Sequence, residues 1–153
     1  MNITERNISD YRETVATVFR FARLYADDLQ RFAPEDVFAF YDRVHNLPYN
    51  PDGDIERLAR PAYTVDPDWK GPRDCDDKTL LILAHARLAR LPARAVVVGE
   101  GSHPGDRSGP MHHIYPELYI PGRGWTPFDA TYPDRGTIGA RLYREDRRAV
   151  FYP

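Results

Sequence analysis

The chain has 153 residues, a formal net charge of −2 and 29% charged residues. That length carries a real core in one domain, and the near balance of charge excludes a basic nucleic-acid surface. No N-terminal apolar run resembles a signal peptide and no stretch is long enough to span a bilayer. The lone cysteine, Cys75, cannot form an internal disulfide, which fits a reducing cytoplasmic setting.

Residues 1–7 read as a frayed end. Ser9 or Asp10 can cap a helix running to about Phe32, with Val15, Val18, Phe19, Ala22 and Tyr25 or Ala26 at helical spacing. Ala33-Pro34-Glu35-Asp36 restarts a second helix, with Pro34 in the first turn and acids near its positive end. It carries Val37, Phe38, Phe40, Tyr41 and Val44 and stops near Asn46. A turn-rich loop follows over 47–54, then a short helical turn over 55–60. Residues 61–70 read as extended or irregular.

Gly71-Pro72-Arg73-Asp74-Cys75-Asp76-Asp77-Lys78 is a polar loop turning into a helix. Asp74 is a good N-cap. The run from Thr79 to Leu91 is apolar on more than one face, so the helix is buried and Pro92 ends it. Cys75 therefore sits in the first turn, where unpaired amides and the dipole favour a thiolate. Asp74, Asp76 and Asp77 oppose that by like-charge repulsion, so a cationic partner has to settle the matter.

Ala93 to Val98 reads as a buried strand and 99–111 as a loop. His112 to Ile120 alternates, with His113, Tyr115, Glu117 and Tyr119 on one face and His112 on the other. Pro121-Gly122-Arg123-Gly124 is a hairpin turn, and Trp125 to Asp129 is the return strand. Ala130 to Gly139 is loop, and Arg147 to Tyr152 a final strand. Helices first and antiparallel strands after them make an α+β fold.

A cysteine nucleophile needs a base and a group that fixes the base's tautomer. His113 and Asp129, on the two arms of the hairpin, fit these roles. His113 is expected to meet Cys75 across the helix–sheet interface. A zinc site of His103, His112, His113 and Cys75 competes with this reading, without regular ligand spacing to support it. His45 and His85 read as ordinary helix residues. Asp129 can also be a turn residue, although Asp134 fits that reading better.

Asp74-Cys75-Asp76-Asp77-Lys78, Leu91-Pro92-Ala93-Arg94, His113-Ile114-Tyr115-Pro116-Glu117 and Gly124-Trp125-Thr126-Pro127-Phe128-Asp129-Ala130-Thr131 resemble the transglutaminase-like core of the papain-type superfamily. The resemblance covers about Leu47 to Thr131. It implies a helical part over 1–46, a catalytic core over 47–131 and a C-terminal extension over 132–153. The upstream part, with Tyr49-Asn50-Pro51-Asp52, resembles small bacterial and phage members, which implies a phage origin and a virion-associated setting as an alternative. One departure stands out. The family's usual glycine before Asp-Cys is Arg73 here, where a side chain can crowd the cleft or bind an acidic group.

The resemblance implies a cysteine-dependent amide hydrolase on a protein or peptide substrate, working through a thioester with Cys75, His113 and Asp129 and needing no cofactor. The Cys75 amide would be one oxyanion donor, with Tyr49 and Trp69 as candidates for the other. Tyr115 and Trp125 read as hairpin core or cleft wall, and Glu117 as a partner of Arg94 or Arg123. Protein cross-linking by transamidation, and a virion or interaction protein on the same fold, are the alternatives.

Overall fold

The computed structural model describes residues 3–6, 10–53 and 56–153. Asp10 caps α1 (Tyr11–Tyr25), its carboxylate accepting the Arg12 amide at 2.9 Å. Ser9, the other capping candidate, lies outside the described residues, as do Met1, Asn2, Asn7 and Ile55. The helix expected to reach Phe32 is not uniform. It tightens into a 3₁₀ run over Ala26–Phe32. Asp27 and Asp28 are poor interior helix residues, and the Asp28 carboxylate is drawn to the Arg60 guanidinium at 2.6 and 2.9 Å.

Helix α2 (Val37–His45) starts beyond Pro34, because Asp36 is the residue whose side chain reaches an amide, that of Ala39 at 2.8 Å. Contrary to the frayed end and the helical turn expected, β1 (Ile3–Arg6) pairs antiparallel with β2 (Glu56–Ala59). Pairing between such distant short segments leaves little local signal. Pro61 opens a single helical turn, α3 (Pro61–Thr64), in the stretch expected to be irregular.

Helix α4 (Cys75–Leu88) is the centre of the core. Leu80, Leu81, Ile82, Leu83, Ala84 and Ala86 are each at most 4% exposed, so the helix is covered on every side. Val18, Phe21, Leu29, Phe40 and Val44 of the upstream helices form one cluster with it. It closes earlier than the apolar run suggests. Arg90 turns left-handed at φ 56°, and the Leu91 and Arg90 amides reach Ala86 O and Arg87 O at 2.9 and 3.1 Å, ahead of Pro92.

Four antiparallel strands stand in the order β5-β4-β3-β6. They are β3 (Ala93–Gly99), β4 (Met111–Ile120), β5 (Gly124–Pro127) and β6 (Arg147–Phe151). The turn before β5 has Gly122 and Gly124 at φ 81° and 77°. Strand β5 stops short of Asp129, although the Phe128 amide still reaches Pro116 O at 2.9 Å. One sheet face carries Ala95, Val97 and Ile114 against Val15 of α1, and Leu118 and Ile120 against the α4 core. The other carries Val96, Val98 and Tyr115 under Val150. Among the described residues no helix is long and apolar enough to cross a membrane.

The shared core predicts the fate of its parts. Leu29→Ala should lower unfolding free energy by about 2–5 kcal/mol in urea titrations. A chain starting at Leu47 should be unfolded or insoluble. A stable, soluble 47–153 fragment would show instead that the upstream helices are a separate element.

Candidate active site around Cys75

The start of α4 is fixed by reciprocal carboxylates. Asp74 accepts the Asp76 amide at 3.0 Å, and Asp77 accepts the Asp74 amide at 3.2 Å. Asp77 is fully buried and also meets the Ala59 amide at 3.4 Å. Burial, then the nearby Asp74, pushes its carboxyl well above the usual range. Before the cap the chain bends at Gly71, where a Cβ would come within 2.2 Å of the Trp69 ring.

Cys75 is half-buried and packs with Val15, Ala95, Val97 and Ile114. Its thiol donates to Asp76 Oδ1 at 3.6 Å. Burial first, then Asp76 and Asp74, push the thiol well above its ordinary pKa, and the Ile114 backbone opposes them. These causes favour the protonated thiol and oppose the helix dipole.

His113 Nε2 lies 2.6 Å from Asp129 Oδ2. Asp129 is held in turn by the Thr131 hydroxyl and amide, at 2.6 and 3.2 Å on Oδ1, and its backbone carbonyl accepts from the Tyr41 hydroxyl at 3.0 Å. Both members of the pair are buried. His113 stands opposite Val98 in register. It and Cys75 line one cleft of about 660 Å³. His112 lines it too, and both histidines touch Tyr143, with ring centroids 4.9 and 4.6 Å away. A register shift between Val98 and Gly99 breaks the simple in–out alternation there.

Of the remaining candidates, Tyr49 belongs to the site's surroundings. It is 37% exposed, its ring is 4.9 Å from Tyr132, and burial, Tyr132 and Cys75 all push its ionisation up, so the hydroxyl stays a neutral donor. Trp69 spends its indole N–H on Pro72 O at 3.2 Å and packs on Tyr63. Arg73 neither crowds the cleft nor faces it. It is 1% exposed and donates to Thr64 O, Pro48 O and Asp66 O at 2.8, 3.1 and 2.6 Å. Tyr115 lies 6.1 Å from His113 and donates to Glu145 at 2.7 Å. Trp125 is in the hairpin arm beside Tyr119 and Arg94. Glu117 pairs with Arg94 and Arg148 rather than Arg123.

Among the described residues, no histidine joins the group whose ligand atoms gather within 4.8 Å, which is Asp74, Cys75 and Asp76. Two of the three are already engaged, Asp74 as helix cap and Asp76 as the thiol's acceptor. His103 stands exposed in the loop before β4. His45 bonds Arg135 O, and His85 stacks on Phe40 inside the core.

Two residues beside the site carry little sequence signal of their role. Lys78 is 1% exposed and donates to Leu47 O at 2.7 Å. Burial, then the nearby Arg73, pulls its pKa down to about 7. A lysine inside an otherwise buried helix was the available clue. Tyr143 comes from a distant irregular segment and offered none.

The family model described as Transglutaminase-like superfamily matches residues 20–130, more than half of the chain. No curated protein and no solved structure matches it.

Two measurements test the electrostatics. At neutral pH iodoacetamide should alkylate Cys75 more slowly than a free thiol, and Asp76→Asn should move the rate profile to lower pH by removing the carboxylate that holds the proton. A wild-type rate above that of a free thiol would contradict this resting state. Lys78 loses its proton near pH 7 when folded and near 10.5 when unfolded, so unfolding takes up a proton between these values and stability rises with pH across that window. Lys78→Met should lack this rise, and its urea midpoint relative to wild type should fall from pH 7 to 10. A constant offset would show that Lys78 does not titrate there.

Proposed function

The chain belongs to the transglutaminase-like superfamily, whose members are typically cysteine enzymes of the peptidase or acyltransferase kind, and on that footing we propose that it hydrolyses amide bonds through a thioester on Cys75. The observation that carries the reading is the buried 2.6 Å pair of His113 and Asp129 lining the same cleft as Cys75.

The pairing sets the imidazole's chemistry. A carboxylate on Nε2 favours the tautomer with the proton on Nε2, which leaves the Nδ1 lone pair as the base. In the first step the thiol gives up its bond to Asp76 and passes its proton to Nδ1, while sulfur attacks the substrate carbonyl. Asp129 then stabilises the imidazolium. The negative oxygen faces the Cys75 amide at the start of α4, and the neutral Tyr49 hydroxyl is the second donor. Collapse breaks the C–N bond, His113 protonates the departing amine, and an acyl thioester remains. A water molecule gives its proton to His113 and attacks the thioester carbon. Cys75 leaves as thiolate and recovers the proton.

The raised pKa of the resting thiol suits this general-base route better than a preformed ion pair. It keeps the cysteine protonated until a substrate displaces the contact to Asp76. Water resolves the thioester because the cleft is open to solvent beside Cys75.

Release of p-nitrophenol from p-nitrophenyl acetate, with the intact mass of the acylated protein, tests the assignment. At neutral pH Cys75→Ala and His113→Ala should each abolish acylation of residue 75 while leaving the thermal melt in place. Asp129→Ala should retain a slower reaction, reduced by about 10²–10⁴-fold. Turnover undiminished in Cys75→Ala would reject the mechanism.

A further inference from the structure

The segment after the matched core returns to the site. Residues 131–153 lie beyond the family match, yet Tyr143 sets its ring 4.6 Å from the His113 imidazole at 53° and edge-on to His112 at 4.9 Å. Its hydroxyl is bonded to that of Tyr132, whose ring lies 4.9 Å from Tyr49. Arg135 stacks over Tyr132 at 4.2 Å and donates to the Tyr143 hydroxyl at 3.4 Å. The segment is itself pinned, by His45 on Arg135 O at 2.9 Å and by the Gly139 amide on Pro127 O at 2.8 Å.

We propose that Tyr143 is a positioning residue for His113: Asp129 fixes one ring nitrogen, and the Tyr143 ring, locked by the Tyr132 hydroxyl, limits rotation of the imidazole so that its other nitrogen keeps facing the cleft. One in-plane hydrogen bond leaves a ring free to swing about it. A packed aromatic removes that freedom, which matters because proton transfer depends steeply on alignment. Tyr115, stacked at 6.1 Å and 28°, adds a further ring contact. Burial, then Tyr132, raises the ionisation of Tyr143, so the ring carries no charge at neutral pH. The inference rests on His113 being the base.

The test is the pH profile of Cys75 acylation by p-nitrophenyl acetate in the full chain. Among the described residues, Asp129, His112, Tyr115 and Tyr143 lie beside the imidazole, and Tyr11, Asp52, Asp74, Cys75, Asp76 and Arg147 line the same cleft. Wild type should show a neutral arm that needs His113 and an alkaline arm from thiolate formed without it. Tyr143→Ala should lower the neutral arm on the order of tenfold and spare the alkaline arm. Tyr143→Phe, which keeps the ring, should recover most of that loss. If Tyr143→Ala does not fold, Tyr143→Gln, of similar bulk without the ring, is read by the same outcomes. A neutral arm lost in His113→Ala but intact in Tyr143→Ala overturns the positioning role and leaves the base assignment standing. A loss spread evenly over all pH values marks a merely structural tyrosine and also overturns it. A neutral arm that survives His113→Ala removes the base assignment, and the role of Tyr143 with it.

Discussion

Two buried cations hold the start of α4 in place. Arg73 and Lys78 flank Cys75 in sequence, are almost fully buried, and make no ion pair among the described residues. Their donors go to backbone carbonyls instead, those of Pro48, Thr64 and Asp66 for Arg73 and of Leu47 for Lys78. Burying charge without a counter-ion in contact costs free energy, and the lowered pKa of both groups expresses it. The arrangement survives because carbonyl dipoles face each cation, three at Arg73 and two, Leu47 O and His45 O, at Lys78. The 47–50 loop is thereby tied to the helix that bears the cysteine, and a two-way backbone bridge between Asn50 and Arg73, at 2.7 and 2.9 Å, completes the tie. Tyr49 lies between two residues whose backbone is held in this way.

Electrostatics near the sulfur follow from the same crowding. The capping carboxylates that define the helix start also surround the thiol, so what gives the cysteine its position withholds its ionisation. A helix N-terminus taken alone favours a thiolate, but here the acids that neutralise that end and the loss of solvent outweigh the dipole. On the proposed mechanism, reactivity depends on a base and not on a standing charge.

The parts legible in the sequence are those whose signals are local. The capped apolar run gave α4, alternation with a glycine-rich turn gave the β4–β5 hairpin, and the position of His113 and Asp129 on its arms gave their contact. What could not be read depends on distant chain. The β1–β2 pair joins residues far apart in sequence. Arg73 looked like a cleft residue because it stands where the family usually has glycine before Asp-Cys, yet its guanidinium fits three inward carbonyls. The register shift at Val98 and Gly99, beside His113, has no mark in composition. Tyr143 shows the same limit, because ring contacts set by a loop have no periodicity.

The order of the sheet bears on how the protein is made. Strand β6 follows β3, β4 and β5 in the chain but pairs with β3, the oldest of them. Until β6 emerges from the ribosome, β3 keeps an open edge of unpaired amides and carbonyls, with Val96 and Val98 uncovered on one side. Tyr143 lies just ahead of β6, so the histidine gains its ring contact only when this later segment is made. A nascent chain thus holds its cysteine and histidine for some time before the last wall of the cleft is in place. Late closure leaves the candidate site immature while other unfolded segments lie within its reach, and it leaves the β3 edge open to pairing until β6 docks.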